Sequence, residues 1–185
     1  MIALSKWYDK GQLLSYKAFF NMLIGNRGGS KTYGFKTWAI DDYLKTGKQF
    51  VWLRRYGTEV DEMRKTYFDD IAKKYPAYKF EIKGSRKSGK IRIDNKVAGF
   101  YFALTTSSIA KSSSYPNVDK IIFDEFLIIG NTYKYLNDEV VLLLELVETI
   151  FRDRENDPTA IKPRGVYLLG NNVTIANPYF LYFNI

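Results

Sequence analysis

Between Ile24 and Gly34 the chain reads IGNRGGSKTYG, a set of residue types suited to holding phosphate. Glycines at 25, 28 and 29 allow consecutive backbone N–H groups to turn inward around an anion, Lys31 can reach the outer phosphates, and Thr32 offers a hydroxyl to Mg²⁺. The usual pattern has glycine where this chain has Ser30. A serine is expected to fit if its backbone is right-handed, because only a positive φ strictly demands glycine. Arg27 could lean its guanidinium on a γ-phosphate or on a neighbouring molecule, the plainer alternative being a solvated loop arginine. Gly25, Asn26, Arg27, Gly28, Gly29, Ser30, Lys31 and Thr32 are therefore read as a nucleotide-binding loop, with ATP and Mg²⁺ as cofactors.

A second stretch, IIFDEF, supplies carboxylates. An aspartate at the carboxyl end of a strand beside the loop's own strand can hold the Mg²⁺ shell together with Thr32, and the next acid can orient attacking water. Asp124 takes the metal role and Glu125 that of base. Strands also end in acids for mere solubility, but here the pair accompanies a phosphate loop. The chain has neither His nor Cys, which removes imidazole bases, thiol nucleophiles and His or Cys zinc sites. An acid adjacent to the metal aspartate marks the hydrolysing branch of P-loop proteins, in which a further strand lies between the two motif strands, and motors dominate that branch.

These groups need a scaffold, and the hydrophobic pattern describes one. AFFNMLI (18–24) is expected as a strand running into the loop, and SKTYGFKTWAIDDYLKTG as a helix stopped at Gly47. QFVWL (49–53) is a second strand, leading through Arg54 and Arg55 to a helix over 58–76. YKFEIK and IRIDNKVAGFYFAL, with a tight turn at Asp94-Asn95, read as an antiparallel insertion, and TTSSIAKSSSYPN as a polar loop. The strand DKIIFDEF, a helix from Asn137 to about Arg152 and the strand GVYLLGNN complete the pattern. We read an α/β P-loop NTPase fold of the hydrolysing (ASCE) type, a mostly parallel sheet flanked by helices, in one ATPase domain over 1–185.

Residues 1–110 hold 21 Lys+Arg against 10 Asp+Glu, a net +11, and residues 111–185 hold 7 against 10, a net −3, together the +8 of the chain. Such polarity suits nucleic acid, or head-to-tail contact between unlike faces. Without cysteines, an apolar leader or a long apolar run, a cytosolic protein with no membrane partner is the simplest reading.

From about Trp7 to the last residue the chain resembles the DNA-packaging (encapsidation) ATPases of small short-tailed, picovirus-type phages, relatives of terminase large subunits and of the FtsK/HerA pumps. The resemblance rests on LSY, IGNRGGSKTYG, QFVWLRRY, VAGFYFAL, KSSSYPNVDKIIFDEF, NDEVVLLLELVETIFRDRE and NPYFLYFNI. SYPNV before the acidic strand and FRDRE after the helix have no generic reason to recur. Ser30, a longer basic turn at 83–90 and the insertion NDPTAIKPRG depart from the family pattern. The family's chains continue into a nuclease-like carboxyl-terminal domain, so this chain resembles the motor domain alone.

That resemblance implies a homo-oligomeric ring on a phage procapsid portal, with a packaging RNA as a further partner, in the cytoplasm of an infected bacterium. It implies that Asn171 senses the γ-phosphate, that Arg152 is an arginine finger donated to the next subunit, and that Lys111 reaches across the subunit boundary. Glu145, Glu148 and Arg152 would then share a polar stripe opposite Leu143, Val147 and Ile150. Lys83, Arg86, Lys87 and Lys90, on a mobile turn, are candidate contacts to the backbone of double-stranded DNA, the alternative being a solvated hairpin tip. Tyr8 or Tyr16 could stack on adenine, or either could be core. The function expected is ATP-driven double-stranded DNA translocation. The rival is a non-motor nucleotide switch or assembly protein.

Overall fold

The computed structural model describes residues 11–26, 28, 30–130, 133–152, 164–172 and 176–185. Its elements, in chain order, are α1 (Gly11–Ser15), β1 (Phe20–Gly25), α2 (Lys31–Thr46), β2 (Gln49–Arg54), α3 (Gly57–Thr66), β3 (Phe80–Gly84), β4 (Ser88–Ile93), β5 (Lys96–Ala103), β6 (Val118–Asp124), α4 (Glu139–Phe151), β7 (Gly165–Asn171) and α5 (Pro178–Phe183). Short 3₁₀ turns occupy Ala72–Lys74 and Leu104–Ser112. The strands form one sheet in the order β1-β7-β6-β2-β5-β4-β3. From β1 to β5 every neighbouring pair is parallel, and β4 and β3 add an antiparallel edge.

A parallel sheet covered on both faces buries its central strands, and β6 is buried along all seven residues, the apolar Ile121–Phe123 being flanked by the buried charges of Asp119, Lys120 and Asp124. Alternation along β2 divides the core in two. Val51 and Leu53 pack with α4 and α5, while Phe50 and Trp52 pack with α2 and α3. Each such fully buried large side chain contributes about 1.5–3 kcal/mol. Local signals set the boundaries: Gly47 (φ 76) ends α2, its N–H donating to Tyr43 O, and Asn177 Oδ1 accepts from the N–H groups of Tyr179 and Phe180 at the start of α5. Asp94 and Asn95 both take positive φ (48 and 64), the tight turn that the sequence signals.

Three elements depart from expectation. β5, read as part of the antiparallel insertion, pairs parallel with β2 and belongs to the parallel core, so that only β3 and β4 are the antiparallel edge. The helix read over 58–76 ends at Thr66, and beyond it Tyr67 is buried edge-on against Trp52 while Phe68 stacks on Phe80 of the antiparallel edge. The polar loop before SYPNV is instead a pair of 3₁₀ turns kinked at Thr106, from which Ala110 and Tyr115 enter the core. Tyr115 accounts physically for SYPNV: its ring meets Phe100 and Phe102 edge-on and its hydroxyl donates to Ala110 O. Among the described residues, no helix is long and apolar enough to cross a membrane, and no three acids cluster as a metal site.

Candidate functional site

The parallel strands end along one edge of the sheet, and the candidate groups collect there, where sheets of this kind hold ligands. β1 delivers the glycine-rich loop and α2 begins at its far side. Lys31 folds back so that Nζ donates to Gly25 O (2.8 Å), Asn26 O (2.9 Å) and Asn171 Oδ1 (3.4 Å). Burial lowers its pKa, against the opposing pull of Asp124. Gly28, at φ 84, occupies a conformation that favours glycine. Ser30 corrects the sequence expectation: its φ is 56 and ψ 24, left-handed rather than right-handed, so the serine stands where glycine would be relaxed. Arg27 and Gly29 lie outside the described residues.

From β6, with only β7 between it and β1, Asp124 Oδ1 accepts the Thr32 hydroxyl at 2.9 Å. Asp124 is 2% exposed, whereas the Glu125 side chain is half exposed and its backbone is left-handed at φ 60. A residue that the sequence reading passed over joins the two acids. Arg54, at the end of β2, places Nη2 at 2.9 Å from Asp124 Oδ2 and Nη1 at 2.7 Å from Glu125 Oε2. Burial works against its charge, but Asp124 and Glu125 outweigh that and raise its pKa. Its neighbour Arg55 is buried and pairs with the buried Glu139. The signal for both was the arginine pair directly after an apolar strand.

The other candidates separate by position. Asn171 ends β7, opposite Gly25 in register, and so touches the loop lysine. A cleft of about 480 Å³ opens between these groups, lined by Gly28, Ser30, Lys31, Thr32, Tyr33, Asp70, Asp124, Glu125, Leu169, Gly170 and Asn171. Tyr33 and Asp70 are linings that the sequence reading missed. Tyr16 is exposed and does not line this cleft, and Tyr8 is outside the described residues. Glu145, Glu148 and Arg152 are exposed while Leu143, Val147 and Ile150 are buried, as the helical period required. Arg152 follows the last residue of α4 and has no ion-pair partner among the described residues. Lys111 pairs with Glu145 of its own chain at 3.3 Å, an exposed contact of small strength.

Lys83 and Lys90 face one another across β3 and β4, and Lys83 also meets Glu81 at 3.2 Å. The turn joining these strands is better tied than a mobile one: Tyr101 Oη donates to Ser85 O, Ala103 N donates to Lys87 O, and Arg86 lies against Gly57. Gly84 and Gly89 are needed there, since an added Cβ at either would sit 2.6 or 2.3 Å from the Tyr101 hydroxyl. The basic turn thus stands at the same end of the sheet as the cleft.

Residues 2–185 match the family model described as podovirus DNA encapsidation protein (Gp16), and the chain belongs to that family. It is 38% identical over 181 residues to the DNA packaging protein of Bacillus phage phi29, an alignment covering 98% of this chain and 51% of that protein. Among solved structures it is similar to the N-terminal domain of the DNA packaging ATPase from bacteriophage phi29, with a TM-score of 0.82 and 37% identity, covering 96% of this chain and 85% of that one. It is also similar to a chain of the phi29 viral genome packaging motor assembly, with a TM-score of 0.81 and 37% identity, covering 98% of this chain and 52% of that one. The chain spans about half the length of the curated relatives it matches.

Proposed function

We propose that this member of the encapsidation family is an ATP-hydrolysing P-loop motor domain that drives double-stranded DNA into a procapsid, working as a ring with sites shared between neighbours. The observation that carries the reading is the 2.9 Å contact of Thr32 Oγ1 with Asp124 Oδ1. A loop hydroxyl and a buried strand-end carboxylate, brought together across an intervening strand, are the two oxygen donors that an Mg²⁺–nucleotide complex asks of such a protein. The cleft beside them falls within the size range of small-molecule sites.

Mg-ATP, when bound, supplies the phosphoanhydride that water cleaves. The chain's own groups divide the remaining work. Backbone N–H groups of the loop and Lys31 hold the phosphates, Thr32 and Asp124 hold the metal, and Glu125 orients water and accepts its proton. Arg54 occupies one oxygen of Glu125, Oε2, and so governs the direction in which that carboxylate points. Asn171, already hydrogen-bonded to Lys31, would sense the terminal phosphate.

Arg152 acts on a neighbour. The first residue of α4, Glu139, is bonded to Arg55, whose Nη1 lies at 3.3 Å from Glu125 O, and thirteen residues of helix separate Arg152 from Glu139 by about 20 Å along the axis. An arginine so far from its own acid is suited to the next subunit's site. Lys111, on the same side of α4, would join that boundary, and Lys83, Arg86, Lys87 and Lys90 would track DNA phosphates.

Calorimetry on Lys31→Ala and turnover of Glu125→Gln, each with and without DNA, test the reading. Lys31→Ala is expected to lose ATP binding, and Glu125→Gln to bind ATP but scarcely hydrolyse it. Unchanged affinity in the first, or near-parental turnover in the second, refutes the assignment. Tight ATP binding by the parental chain without turnover in any condition favours the non-motor switch.

A further inference from the structure

Arg54 and Arg55 are consecutive, and they take hold of the same residue from opposite ends. Arg54 grips the Glu125 carboxylate, while Arg55 Nη1 lies at 3.3 Å from the Glu125 carbonyl oxygen and Nη2 at 2.5 Å from that of Phe126. The remaining donors of Arg55 meet Glu139, Nε at 2.7 Å and Nη2 at 2.9 Å. Glu139 is filled: besides those two bonds it accepts from Leu136 N (2.8 Å) and from the hydroxyl of Tyr179 on α5 (2.5 Å). The guanidinium also lies 5.5 Å from the Phe123 ring centre and 5.1 Å from that of Tyr135.

Such a pair is a poor device for stability alone, because two fully desolvated charges commonly hold a fold no better than apolar residues of the same volume. Its location suggests another use. Glu125 has a left-handed backbone, a conformation that persists only where its surroundings over-determine it. Arg55 pins that peptide through two carbonyls on one side, and Phe126 N, donating to Leu169 O of β7, pins it on the other.

We propose that Arg55 and Glu139 form a buried positioning clamp that fixes the main chain of Glu125 and fastens it to the start of α4 and to α5. Arg55 is a positioning residue, acting through Glu125 rather than on substrate. The clamp's role in turnover rests on the reading of Glu125 as the hydrolytic base. Its existence does not. It predicts that side chains outside the cleft, on α4 and α5, affect turnover without affecting nucleotide affinity.

The test uses Arg55→Met, Glu139→Gln and Tyr179→Phe, with kcat at saturating Mg-ATP, ATP affinity by calorimetry, and amide hydrogen exchange of the nucleotide-free protein. Arg55→Met and Glu139→Gln should each lower kcat by about ten- to a hundredfold while Kd stays within about twofold, since a small displacement of the base costs rate rather than binding. The double variant should be no slower than the worse single one. Exchange should accelerate at Ile128, whose N–H donates to the Tyr135 hydroxyl, and at Leu136, whose N–H donates to Glu139. If Arg55→Met fails to fold, Tyr179→Phe decides the matter, with an expected fall in kcat of about two- to fivefold from the loss of one hydroxyl. Parental kcat per folded molecule in these variants, or faster exchange spread evenly over β2 and β6, overturns the clamp. A parental chain that never turns over ATP defeats the hydrolytic reading, and the exchange at Ile128 and Leu136 then decides the clamp by itself.

Discussion

Replacing Arg54 by alanine removes one cation from two acids at once, and the structure sets the size of the effect. The bond from Nη2 to Asp124 ends on a carboxylate that is 2% exposed, while Arg54 itself keeps 16% of its side-chain surface. A hydrogen bond to a charged group is worth about 1.5–3 kcal/mol, and breaking a fully buried pair costs about 3–5 kcal/mol; the residual exposure of Arg54 puts this bond in the lower range. The second bond ends on Glu125, whose side chain is half exposed, and adds only about 0.2–1 kcal/mol. Arg54→Ala should therefore destabilise the chain by about 2–3 kcal/mol, read in urea as a lower midpoint at unchanged slope. Arg54→Lys should lose about half as much, because an ammonium lacks the fork that spans both acids. Asp124→Asn in the Arg54→Ala background should then cost far less than it does alone, a coupling of about 1 kcal/mol or more. A loss below about 0.5 kcal/mol for Arg54→Ala, or strict additivity with Asp124→Asn, would refute the claim that the guanidinium neutralises the buried aspartate.

Ser30→Gly should stabilise the chain by about 0.5–1 kcal/mol, the left-handed penalty relieved less the added freedom of glycine when unfolded, and chemical denaturation would show it. Arg152→Ala should bind ATP normally yet lose on the order of 10³–10⁵ in turnover, and mixing it with Glu125→Gln should restore activity at interfaces that unite an intact arginine with an intact acid. Burial, aided by the charges of Asp119 and Asp42, pushes Tyr167 to about 12, and burial with a hydrogen bond to Asp41 does the same for Tyr75. A phenol raised from its ordinary value near 10 contributes stability that is complete below about pH 10 and lost as pH rises toward 12. A pH titration of tyrosinate absorbance, with and without Tyr167→Phe, should place that loss in the same window.

Much of the scaffold was legible because it is written in local periods. Continuous apolar runs mark the buried parallel strands, Gly47 closes α2, and Asp94-Asn95 gives the edge hairpin. The acid pair after an apolar run led to the expectation of a strand between the two motif strands, and β7 lies there. Less legible were features that depend on contacts distant in sequence. Just past the end of α3, Tyr67 and Phe68 pack on Trp52 and Phe80, neither of them local to Thr66. The backbone of Ser30 stayed conditional in the sequence because a single serine does not disclose its φ, and the structure does not meet the condition. Arg54, Arg55 and Glu139 look like ordinary charges at element ends, and only the pairing of β2 with β6 and the seating of α4 reveal that two of them are buried.

The division of labour between the two arginines has a consequence for any cycle built on this site. If Glu125 is the base, its carboxylate must be free to change partners, and it is held by the half-exposed contact with Arg54, which a rival charge can break at small cost. Its main chain must not move independently, and it is held by Arg55 and Glu139, where breaking one partner would strand a buried charge. Adjacent positions on one strand thus provide a loose grip on the side chain and a firm grip on the backbone. Because the firm grip ends on the first residue of α4, the clamp would pass a shift of that helix to the acid, and a shift of the acid along the helix toward Arg152. If Arg152 serves the neighbouring subunit, the state of one site would bias the arginine offered to the next.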